Sequence, residues 1–181
     1  KSSTIAALSS NQIKALTTDQ VVALNSQQVG ALSSQQVSAL SSTAIAAIET
    51  NDISALKTNV IAALSTQQVA GLTTDQVGVL NTAQVAALST NHLANALTTH
   101  QVVALTSLQL GALSTAQFAA LSTNAVAAIE TQDIGGLKTS IIAALKSAQL
   151  AALSTDQLTA LSTAQVVALT TASIGALTTN Q

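Results

Sequence analysis

The sequence predicts an all-α solenoid of very short capped helices, one for every eight residues. Three observations predict it. The phrase L-[ST]-[ST]-x-Q-[VIL]-x-A recurs from one end of the 181 residues to the other, as in Leu16-Thr17-Thr18-Asp19-Gln20-Val21-Val22-Ala23, after which Leu24 begins it again. The large apolar positions alternate +3 and +5, as from Val21 to Leu24 and from Leu24 to Val29. The polar residues between them all signal a helix start in one register.

That register places Leu16 before the cap, Thr17 at the cap, Thr18 and Asp19 in the first turn, and Gln20 at the third helical position. Thr followed three residues later by Gln is a capping box: the hydroxyl accepts from the Gln N–H, and the Gln side chain reaches back to the cap N–H. Leu16 and Val21 form the accompanying hydrophobic staple. Asp19 faces the positive end of the helix dipole. Other periods fail. A half-buried strand needs a spacing of two. A continuous helix would turn its apolar stripe by about 80° per octad, at roughly 100° per residue. Coiled-coil seams need about 3.5 or 3.67 residues per turn. A helix of about six residues with a bend at each Ser/Thr pair remains. Such a helix is far below the roughly 12–15 residues needed for marginal stability in water, so it must be packed against neighbours.

Composition sets the core and the surface. Hydrophobic residues make up 48% but aromatics only 1%, so Leu, Val, Ile and Ala form the core, with Phe118 at a Val position. Charged residues are 7%, against about 25% in a typical domain. The surface is therefore Ser, Thr, Gln and Asn, with little charge repulsion against self-association. Cysteine, methionine and proline are absent. The bends must then be made by the caps, and a disulfide framework is excluded. With no Met at position 1 and the octad register already running at Ile5, an excerpt of a longer chain is expected. Ser, Thr or Gln interrupts every octad, which argues against a transmembrane segment.

A larger period overlies the octad. Glu49 and Lys57 replace the usual Ser/Thr caps, and Asp52 replaces Gln; Glu130, Lys138 and Asp133 repeat this pattern 81 residues later. The odd residue lies in Leu93-Ala94-Asn95-Ala96-Leu97, where the apolar spacing is four. Residues 1–181 thus read as one continuous array with a super-repeat of about 80 residues and a register insertion at 93–97. Glu49, Asp52, Lys57, Glu130, Asp133 and Lys138 are the candidate inter-repeat or inter-subunit contacts. The alternative is a purely structural or register role, since surface ion pairs contribute only about 0–1 kcal/mol.

Other chemistry lacks support. His92 and His100 are eight residues apart with no Cys or acidic partner, so no metal site and no cofactor is expected, and both are predicted to be solvated. No nucleophile motif accompanies the Ser and Thr residues, and the Gly residues form no phosphate loop. An enzyme is not expected. Gly135-Gly136 suggests close packing or a kink.

At Leu16–Leu24 the phrase LTTDQVVAL resembles the LTPEQVVAIA opening of TAL-effector DNA-binding repeats. The likeness covers one octad. With net charge −2 and no Arg, phosphate attraction is nearly absent, and no nucleic-acid partner is expected. From Ile5 to Leu177 the chain resembles the Leu-Thr-Thr-x-Gln-Val/Ile-x-Ala-Leu octapeptide arrays of very large bacterial secreted or surface proteins. That resemblance implies an extracellular or cell-surface spacer, stalk or fibre whose partners are copies of itself. The alternative is a binding module whose Ser/Thr rows meet a repetitive target such as ice or a polysaccharide.

Overall fold

The capping-box register predicts where each helix starts, and the computed structural model, which describes residues 1–179 and 181, places the helices in that register. Among the described residues there are twenty-one α-helices and one 3-10 helix, and no strand. At the reference octad the helix is Thr18–Val22, capped by Thr17. The Thr17 hydroxyl accepts from the Gln20 N–H at 3.3 Å, and the Gln20 side chain accepts from the Thr17 N–H at 3.0 Å. Asn serves the same role at Asn25 and Asn81.

The bends need neither glycine nor proline. No described residue has positive φ. The Ser, Thr and Asn caps are extended, with Thr17 at φ −75, ψ 160. The preceding Leu closes the last helical turn by donating to the Val or Ile carbonyl three residues back, as Leu24 does to Val21 at 3.1 Å. An extended residue directly after a tight turn redirects the chain at every octad. That is how a chain without proline bends so regularly.

The bends coil the short helices into a solenoid. Each helix packs on the one three octads further on, as Ser10–Lys14 does on Ser34–Ala39 and Thr90–Asn95 on Thr115–Ala120. The Val/Ile and Leu rows point inward and merge into one core running along the chain. Phe118 is buried at its Val position. Burying one Leu and one Val contributes roughly 1.5–3 kcal/mol each, too little to hold a lone octad. Stacking therefore supplies the stability, as in other repeat arrays.

The inserted residue is taken up within one turn. In Thr90–Asn95 both Ala96 and Leu97 donate to the His92 carbonyl, at 3.0 and 3.1 Å. The Leu97 bond spans five residues, where the other Leu positions span three. This single widened turn is of π type, and Ala96 is buried within it.

The stacked helices approach most closely at Gly136. A Cβ there would lie 2.4 Å from the Ser107 carbonyl oxygen, and one on Gly111 would lie 2.7 Å from the Gly136 oxygen. One super-repeat earlier, Ala55 stands where Gly136 does, and the distance from a Cβ on Gly30 to its oxygen is 3.0 Å. The segment with two glycines also winds as a 3-10 helix, Thr131–Gly136, where its counterpart is the α-helix Thr50–Ile53. Gly135, in contrast, faces open space.

These neighbours make a paired test. Gly136→Ala is expected to destabilise by about 1–3 kcal/mol, because its Cβ meets backbone that cannot swing away. Gly135→Ala is expected to stabilise by about 0.4–1 kcal/mol by restricting the unfolded chain. Urea unfolding of the two variants should move in opposite directions; shifts of one sign would refute the close approach.

Candidate functional site

The sequence assigns Gln one task, closing its own capping box. In the structure its amide does two. While Oε1 accepts from the cap N–H, Nε2 donates across to the helix four octads earlier. Gln68 Nε2 bonds the Val37 and Leu40 carbonyls at 2.7 and 2.8 Å. Gln76 reaches Ile45 and Ile48 at 3.0 and 2.7 Å, and Gln165 reaches Ile134 and Leu137 at 2.9 and 2.8 Å. These are carbonyls at helix carboxyl ends, which lack intrahelical partners. The side chains are buried, with Gln84 fully inaccessible. One amide thus ties the start of one helix to the end of another across a turn. Helix packing at three octads and Gln bonding at four place the closure of each solenoid turn between three and four octads.

His92 departs from the sequence expectation. It stands in the Gln row and is buried, not solvated. Its Nδ1 accepts from the Ser89 N–H at 3.1 Å, and its Nε2 lies 2.8 Å from the Leu64 carbonyl. A neutral ring with the proton on Nε2 reproduces both halves of the Gln amide. Length and donor–acceptor order qualify His for the position; the sequence signal is its register. His100 is exposed. Gln101 and Gln109 bond across the inserted residue at separations of 32 and 29, where Gln68 spans 31 and 28. The connection between turns survives the register shift.

The six charged candidates occupy two breaks in this row. Over three successive octads the Gln position holds Ala44, Asp52 and Val60; 81 residues later it holds Ala125, Asp133 and Ile141. The four apolar substitutes are buried. Aspartate is too short to close the box and has no proton to offer a carbonyl when ionised. Asp133 instead accepts from the Ser107 hydroxyl at 2.8 Å, on the helix three octads earlier, and Asp52 accepts from the Ser26 hydroxyl in the same way. Glu49, Lys57, Glu130 and Lys138 are exposed at caps, where their side chains make no capping hydrogen bond. Glu130 accepts from its neighbour Gln132 at 2.7 Å.

The two breaks are stacked. From the helix Thr50–Ile53, Gln84 steps four octads on through its bonds to Ile53 and Leu56. Its helix, Thr82–Ala86, packs on Ser107–Ala112 three octads later, and that helix packs on Thr131–Gly136 three later again. Ten octads thus make three turns, so the charged octads return on one side of the solenoid.

No three His, Cys, Asp or Glu side chains among the described residues converge as a metal site. An open depression of about 640 Å³ beside Glu130 is otherwise lined by Ala127, Ile129, Thr131, Gln132, Ser154 and Gln157, so it holds one ionisable group. No helix among the described residues is long and apolar enough to cross a membrane.

The dual role of the amide has a measurable signature. Gln84→Ala removes the cap acceptor and the inter-turn donor and is expected to cost about 2–4 kcal/mol. Gln20→Ala, at an exposed residue that only closes its box, should cost about 0.5–1 kcal/mol. His92→Gln should leave stability within about 0.5 kcal/mol of the parent. Native-state hydrogen exchange reads all three; equal losses at Gln20 and Gln84 would exclude the inter-turn role.

No curated protein matches the chain. The ALTTAQ repeat family matches residues 1–26, 45–82, 95–123 and 126–163, more than two thirds of the sequence. The second and fourth of these matches are 81 residues apart, the same interval as the charged octads. With a capped octad, a glutamine row and a family match recurring together, this chain belongs to the ALTTAQ repeat family.

Proposed function

We propose that the chain is a structural element of an extended extracellular or cell-surface fibre, stalk or filament, with copies of itself or further repeats as its partners. The observation that carries this reading is the inter-turn amide row. It gives each turn nearly the same bonds to the next, so the architecture has no intrinsic length limit. The low charge supports lateral and end-to-end contact. The grouping of side chains supports a structural role over catalysis: the buried polar residues are mostly Gln, and they are occupied in holding turns together. A nucleic-acid role has little support from a net charge of −2.

Sedimentation of the 181-residue chain over a wide concentration range, with electron microscopy of the same samples, tests the proposal. The expected result is growth into filaments, and a higher unfolding temperature when a further unit of about 80 residues is appended. A monomer at all concentrations with no gain from the appended unit would overturn it.

A further inference from the structure

The two turn faces of these 181 residues are unlike. On the first turn, Gln12, Gln20 and Gln28 are in capping-box geometry with Oε1 occupied. Their Nε2 groups donate to no carbonyl four octads back, and Gln12 and Gln20 are exposed. The apolar partners Ile13, Val21 and Val29 are already fully covered. On the last turn the reverse holds. Val166 is 49% exposed and Ile174 52%, although the same row is 2% exposed or less through the interior, as at Val69, Val77 and Val126. Among the described residues, no Gln side chain reaches the carbonyls of Leu161, Leu169 and Leu177. One face therefore offers amide donors, and the other offers acceptors and uncovered apolar side chains.

We infer that copies of this chain join with fixed polarity, the first turn of one copy seated on the last turn of another. This rests on the self-association proposed above and specifies its geometry. The contact continues the inter-turn interface already present inside the molecule. Gln12, Gln20 and Gln28 would meet the octads ending in Leu161, Leu169 and Leu177. Inside the molecule, Gln149, Gln157 and Gln165 meet those ending in Leu121, Ile129 and Leu137 in the same order. Val166 and Ile174 would be covered by the arriving turn. Two donor faces cannot satisfy each other, and neither can two acceptor faces, so an isologous dimer through either face is disfavoured. A heterologous contact that does not close on itself grows into an open filament.

The test is the triple variant Gln12→Glu, Gln20→Glu and Gln28→Glu. A carboxylate still accepts from the cap N–H and is favoured at a helix start, so helical content by circular dichroism should be unchanged. It cannot donate to a carbonyl while ionised. The expected result is that end-to-end assembly of the variant needs at least about tenfold more protein than the parent. Mixed with the parent, the variant should still accept a parent copy at its last turn, so filaments should end at the variant. Parent and variant assembling equally would overturn the polar contact and leave the fibre reading intact. Assembly that stops at dimers would also overturn it. A parent that stays monomeric throughout would overturn both.

Discussion

A side-chain amide bonded at both ends holds this architecture together. A helix of four to six residues leaves most of its backbone donors and acceptors without intrahelical partners. Here the Gln oxygen takes a donor at one helix start, and the Gln nitrogen serves two acceptors at a helix end one turn away. The amide is neutral, so its burial avoids the cost of a buried charge. It also fixes geometry: the cap, the bend and the spacing between turns must all agree for both halves to bond.

Much of the local fold was legible in single residues. Thr17 and Gln20 marked a helix start, Leu16 and Val21 its staple, and their repetition marked the path of the core. The second bond of Gln was not legible. It depends on how many octads close a turn, which is set by the angle at each extended cap, and octad spacing carries no record of that angle. The same gap hid the burial of His92, whose register was visible but whose neighbour Leu64 was not. Among the candidate charges, the exchange of Gln for Asp was plain in the sequence. That Asp52 and Asp133 would meet Ser26 and Ser107 follows only from helices stacking three octads apart.

The breaks in the glutamine row show what the architecture tolerates. Ala44, Val60, Ala125 and Ile141 replace hydrogen bonding with apolar filling, and the solenoid continues through both places. At Gly136 the replacement is proximity, with backbone against backbone where a side chain would not fit. Both breaks coincide with the octads capped by Glu49 and Glu130, and they recur after three turns. A period of 81 residues is thus built into the coil as a change of bonding type as well as a change of charge.

Under tension the same coil would act as a store of hidden length. Neighbouring turns lie about 8–10 Å apart if they pack as helices do, so each octad advances the axis by only about 3 Å. Pulled straight, its eight residues reach about 26–29 Å. The bonds joining turns run along the axis, so a pull on the ends peels them open one octad at a time, without a long strand ladder to shear. The first turns to give way would be those at the two breaks, where no amide spans the gap. A fibre of such repeats would yield in regular steps and then re-coil, because each capped octad needs only its neighbouring turns to reform.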